Sequence, residues 1–79
     1  MKNNEKKLVF KTIEETLGLS KGSLKISSNS DNVNGWDSLG VINIIVALEN
    51  AFKIKFQIND YEKFNSMKEI VKLLTNKLS

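Results

Sequence analysis

Residues 35–52 read GWDSLGVINIIVALENAF, and the segment from Ser38 onward decides what kind of molecule this is. From Ser38 to Phe52 there is no proline, and the length suits about four helical turns, so the stretch predicts a helix over 38–52 despite its β-branched residues. Leu39, Val41, Ile42, Ile44, Ile45, Val46, Leu48 and Phe52 point in nearly every direction around it. Gly40, Asn43, Ala47 and Asn50 are left as one small or polar strip. A helix so apolar all round is expected at the centre of a fold, packed by several neighbours. Lys53 and Lys55 follow its end, where cations complement the helix dipole.

Upstream, residues 5–17 place Val9, Phe10, Ile13 and Leu17 at intervals of three and four, the spacing of one helix face. Gly18 fits the position just past that helix's end. Residues 19–36, LSKGSLKISSNSDNVNGW, are rich in Ser, Asn and Gly and read as a long loop pinned to the core by Leu24, Ile26 and Val33. A loop of that length in a small domain tends to be functional. Downstream, Asn59 with Glu62, and Ser66 with Glu69, each form a capping-box pattern that opens a helix. The first opens a short helix at 59–64 presenting Tyr61 and Phe64. The second opens a longer one with Met67, Ile70, Val71, Leu74 and Leu78 on one face. The expected fold is all-α, a small bundle of three longer helices and one short helix, with residues 1–79 forming one domain.

Composition narrows the chemistry. A chain of 79 residues supports one modest core and leaves little material for an enclosed active site, which favours a module over an enzyme. There is no cysteine and no histidine, so thiol nucleophiles, disulfides, thiolate metal sites and the usual neutral-pH proton shuttle are excluded. The net charge is +3, and every basic residue is lysine. Lysines neutralise phosphates, but their placement argues against nucleic acid. Residues 1–35 carry six Lys against four acids and residues 53–79 six against three, while residues 36–52 carry none against Asp37 and Glu49. A helix-turn-helix reader needs cations on its recognition helix, and 38–52 offers only Asn43 and Asn50. No run approaches the ~20 apolar residues of a membrane span. MKNNEKKLVF lacks the apolar core of a signal peptide, so a cytoplasmic location is expected; the chain is also expected to be a monomer.

Ser38 has two readings. As a helix N-cap its hydroxyl would accept a backbone N–H, although Asp37 is an equally good cap and Val41 completes no capping box. As a modification site, a hydroxyl at a helix start projects into solvent where the dipole favours an incoming phosphate.

The segment GWDSLGVINIIVALENAFKIKF resembles the heart of an acyl or peptidyl carrier protein, in which an Asp-Ser-Leu motif opens the second helix. The helix order, the long pinned loop, ALENAF before IKF, and SMKEIVKLL follow the same family pattern. The resemblance implies that Ser38 receives 4′-phosphopantetheine from a phosphopantetheinyl transferase using coenzyme A and magnesium. It implies partners that load and transfer an acyl or aminoacyl group held as a thioester on the arm, and no catalysis by the chain itself. Asp37 would orient the helix start and Leu39 would contact the modifying enzyme. Trp36 would seal the loop or meet a partner. Ile42, Val46, Phe52, Phe56, Tyr61 and Phe64 lie where the family forms an acyl-sheltering cleft, with Tyr61 and Phe64 as a gate, although the same residues also suit a plain core.

One departure matters: the fatty-acid-synthesis carrier resembled here is strongly acidic along its second helix, whereas this chain places Gly40, Asn43, Ala47 and Asn50 on that strip. WDSL followed by Gly resembles free-standing carriers of specialised pathways, and a dedicated pathway is therefore expected. The competing expectation is a non-catalytic helical interaction module, for which the Ser38 hydroxyl would be dispensable.

Overall fold

A computed structural model describes residues 1–78. Three α-helices, α1 (Asn3–Leu17), α2 (Ser38–Phe52) and α3 (Met67–Leu78), are joined by the long loop 18–37 and by a short 3₁₀ helix, Ile58–Lys63. The described residues contain no strand. Their only extended pairing is an isolated antiparallel bridge between Asn29 and Ser66.

Each helix forms for a local reason. α1 buries Val9 and Ile13, with Phe10 and Leu17 half-buried beside them, and ends at Gly18, whose φ of 70° is the left-handed conformation that glycine adopts without strain. α2 buries Ile44, Ile45 and Leu48 and ends at Lys53, a non-glycine residue in the same left-handed region (φ 57°). α3 starts where the Ser66 hydroxyl accepts the Glu69 N–H (3.2 Å), and it buries Met67, Ile70, Leu73 and Leu74.

The short helix begins earlier than the Asn59–Glu62 pattern implies. Asp60, not Glu62, makes the reciprocal contact, its Oδ2 accepting the Gln57 N–H at 3.0 Å, so the turn spans 58–63. Lys77 holds Asp60 from the other side at 3.3 Å and lies 5.7 Å from the centre of the Phe56 ring, which ties the last turn of α3 to this helix.

The core gathers Val9, Ile13, Ile44, Ile45, Leu48, Phe64, Met67, Ile70 and Leu74, with Phe56 meeting Phe64 edge to face at 4.9 Å. Two expectations need correction. α2 is not enclosed on all sides: Leu39, Ile42 and Val46 stand on an open face, 69, 46 and 50 % exposed. In the loop, Leu24 is buried and Val33 half-buried, but Ile26 is about half exposed and pins nothing. Backbone bonds hold that part of the loop instead. Met67 N–H donates to Ser28 O (2.9 Å) and Ser30 N–H to Asn65 O (2.8 Å), so the loop is laced to the start of α3.

Gly40 also sits differently from its place on the expected polar strip. It is buried, and a Cβ there would lie 2.3 Å from the carbonyl oxygen of Gly35 and 3.2 Å from Leu17. The end of the loop and the end of α1 therefore both press on the first turn of α2, and only glycine permits it. Gly35 itself turns with φ 85°.

Two predictions follow from these contacts. Gly40→Ala forces a backbone carbonyl to move, and it is expected to destabilise the fold by about 1–3 kcal/mol in denaturant unfolding; wild-type stability would refute the close approach. Asp60 is held below its ordinary value near 3.8, chiefly by the Gln57 N–H and then by Lys77, against partial burial. A depressed carboxyl stabilises the fold above its unfolded value, and that stability is lost as pH falls through the folded value. Wild type should therefore exceed Asp60→Asn in stability above about pH 5 and converge on it as pH falls below the folded value; curves parallel throughout would show that the Asp60 contacts contribute nothing.

Candidate functional site

The site is built around the first turn of α2. Trp36, the residue before the helix, is 2 % exposed, and its indole Nε1–H donates to Phe64 O at 2.9 Å. A buried indole needs such an acceptor. The bond fixes the chain immediately before the site to the end of the 3₁₀ helix, 28 residues further along. Asp37 follows in extended conformation as the N-cap: Oδ1 accepts the Gly40 N–H at 2.9 Å, and its carbonyl accepts the Val41 N–H at 2.8 Å.

Capping is thus done by Asp37, and Ser38 is the first residue inside the helix. Its side chain is exposed, and its hydroxyl has no hydrogen-bond partner among the described residues. Leu39, beside it, is the most exposed large apolar residue of α2. The helix N-terminus below Ser38 carries the positive end of the dipole, with no acidic residue inside its first turn. A phosphodiester on Ser38 Oγ fits this position: the oxygen is free, the space is open, and the positive end of the helix dipole works against the negative charge of the neighbouring Asp37.

An open groove of about 580 Å³ runs beside Ser38, lined by Trp36, Ser38, Val41, Ile42, Tyr61 and Asn65 among others. The structure therefore brings together Trp36, Asp37, Ser38, Ile42 and Tyr61. The remaining candidates lie elsewhere. Val46 is on the open face of α2, outside this groove, while Phe56 and Phe64 are core residues and Phe52 packs half-buried against the core. Phe64 is fully buried, gripped by Phe56 through its ring and by Trp36 through its carbonyl, so of the two gate candidates only Tyr61, about one third exposed, stands at the groove.

Sequence reading missed Ser30, Glu62 and Asn65 on the groove wall. They are isolated polar residues without periodic spacing, and only the lacing of loop to α3 brings Ser30 beside Asn65. It also missed what the two acids of segment 36–52 do. Asp37 is occupied with Gly40, and Glu49 accepts the Phe56 N–H at 2.9 Å with Lys55 at 3.9 Å. Both carboxylates of this segment are tied to backbone N–H groups.

Comparison with known proteins gives a family and several relatives. The family described as "Phosphopantetheine attachment site" matches residues 7–74. The chain is 32 % identical over 73 residues to an acyl carrier protein of Cyanidium caldarium, covering 92 % of this chain and 85 % of that protein. It is 28 % identical to an acyl carrier protein of Chlorobium phaeobacteroides, covering 91 and 92 %, and 28 % identical to one of Guillardia theta, covering 85 and 83 %. Proteins of this kind are not enzymes; a covalently attached 4′-phosphopantetheine arm makes them carriers for the enzymes that load and unload it. By a match that runs from within α1, through all of α2, into α3, this chain belongs to the phosphopantetheine-attachment family and is a carrier protein.

Proposed function

We propose that Ser38 is the attachment residue and that residues 1–79 work as one cytoplasmic, monomeric carrier domain for an acyl or aminoacyl group. The observation that carries this is the division of labour at the start of α2. Asp37 satisfies the helix N-terminus, which leaves the Ser38 hydroxyl exposed and uncommitted. When bound, the arm supplies the thiol that this cysteine-free chain lacks.

The chain's own residues then have limited tasks. Ser38 Oγ would be the nucleophile: its proton passes to a base of the phosphopantetheinyl transferase, Oγ bonds to the phosphate that bears the pantetheine arm of coenzyme A, and the diphosphate bond breaks to release adenosine 3′,5′-bisphosphate. Asp37 keeps the helix start rigid so that Oγ stays at a fixed place, and Trp36 anchors the preceding loop. Leu39 offers the transferase an apolar contact, and Ile42 and Tyr61 flank the groove into which cargo near Ser38 can lean. Lysine is absent from 36–52, and the charged side chains lining the groove beside Ser38 are the carboxylates of Asp37 and Glu62.

The partners follow from that surface. An acidic second helix steers basic enzymes by long-range attraction, and such steering raises on-rates and suppresses wrong partners. Here Leu39, Ile42, Asn43, Val46 and Asn50 are exposed, and neither Asp37 nor Glu49 is uncommitted. This supports a dedicated pathway whose enzymes meet an apolar helix face, rather than bulk fatty acid synthesis.

Two measurements test the reading. Incubation with coenzyme A, magnesium and a broad-specificity phosphopantetheinyl transferase should add one phosphopantetheine to the intact mass of the wild type and none to Ser38→Ala; a gain in the variant would place the arm on another residue. The loaded carrier should be turned over at least about tenfold more slowly by a fatty-acid-synthesis ketosynthase than that enzyme's own carrier; equal turnover would remove the dedicated-pathway reading and leave the carrier assignment standing.

A further inference from the structure

A second groove, of about 490 Å³, lies between α1 and the first part of the long loop, away from Ser38. Phe10 and Leu24 lie at its base, the first half-buried and the second 5 % exposed, while Lys6, Lys7, Lys11 and Lys21 surround them with exposed side chains. None of these four lysines has an ion-pair partner among the described residues. The carboxylate that lines the groove, Glu14, is 4 % exposed, and its Oε2 is taken by the Leu24 N–H at 3.0 Å, so it serves to hold the loop against α1.

This groove shares no lining residue with the groove beside Ser38. Lys6 and Lys7 are some ten residues along α1 from Leu17, the residue packed against Gly40, which at 1.5 Å per residue is roughly 15 Å along the helix from that contact.

We propose that this groove is a docking surface for an acidic protein segment that carries a large apolar side chain. Four unpaired cations held on a rigid helix and loop give the rim a positive potential that a solvated, self-paired lysine surface lacks. The apolar base is recessed beneath them, so it receives a side chain and has none to insert. A membrane surface requires the opposite, apolar groups that project beyond the basic ones. Nucleic acid would use the lysines and leave the apolar base empty. A partner that binds both charge and pocket gains specificity from the rim and affinity from a buried anchor. Binding here leaves Ser38 open, so a loading or transferring enzyme, or a neighbouring subunit of one, can hold the carrier by α1 while its active site works at α2.

The test is an amide NMR titration of the full chain with two short peptides made of aspartate and glutamate, one with a central leucine–phenylalanine pair and one with serine–glycine there. The leucine–phenylalanine peptide should shift amides in 6–11 and 21–24, leave 36–42 unmoved, and bind several-fold tighter than its control. Lys7→Glu with Lys11→Glu should weaken it more than about tenfold, added salt should weaken it too, and Ser38→Ala should bind it as the wild type does. Equal binding of both peptides, shifts centred elsewhere, or no saturable shift would overturn the proposal. So would sedimentation with phosphatidylglycerol vesicles that the double variant abolishes in the absence of peptide binding. Because Ser38→Ala is read separately, failure here does not bear on the attachment residue.

Discussion

The Gly35 carbonyl oxygen occupies the space where a side chain at position 40 would begin. That contact lets the long loop arrive flat against the first turn of α2, with Leu17 of α1 closing the same point. The rest of the site depends on this arrival. It delivers Trp36 into the core, where its N–H finds the Phe64 carbonyl, and it delivers Asp37 in the extended conformation from which a carboxylate reaches the Gly40 N–H. Ser38 is then left inside the helix with its hydroxyl unused. Two glycines and one cap thus decide which of two adjacent polar residues is structural and which is free to react.

Polar groups elsewhere in the molecule are used in the same sparing way. Glu14 and Glu49 each reach across a chain turn to a backbone N–H, those of Leu24 and Phe56, and no buried side-chain nitrogen or oxygen among the described residues lacks a partner. A domain this small cannot leave such groups unpaired, since each would forfeit on the order of 1–3 kcal/mol. The consequence is functional. With Asp37 and Glu49 as its only acids, both bonded to backbone N–H groups, α2 presents a largely apolar face, and the unpaired positive charge around the α1 groove lies on another part of the surface. The carrier therefore has two chemically distinct faces, one beside its reactive serine and one along α1.

Much of this was legible in the sequence because the signals were local. Periodicity gave α1 and the face of α3, and an unbroken proline-free run of the right length gave α2; Ser66 announced the start of α3; Gly18 marked the end of α1. The four-helix order followed from these. Where sequence reading failed, the deciding contact was non-local or the local signal was duplicated. Asn59–Glu62 and Gln57–Asp60 both fit a capping spacing, and Lys77, far along the chain, favours Asp60. Gly40 looked like a member of a polar strip because nothing near it in sequence reveals that Leu17 and the Gly35 carbonyl lie against it. Ile26 looked like an anchor, but backbone bonds from Ser28 and Ser30 to the start of α3 do that work. The open face of α2 was illegible for a related reason: hydropathy shows which residues could be buried, and only the number and placement of neighbouring helices shows which ones are.

The account stands on Asp37, not Ser38, carrying the helix cap, and paired unfolding measurements of Asp37→Ala and Ser38→Ala test that directly. Loss of about 1 kcal/mol in Asp37→Ala, with Ser38→Ala within about 0.5 kcal/mol of the wild type, is the predicted result. A larger loss in Ser38→Ala than in Asp37→Ala would show that the serine hydroxyl is holding the helix together, and would contradict the assignment of that hydroxyl to a free, modifiable role.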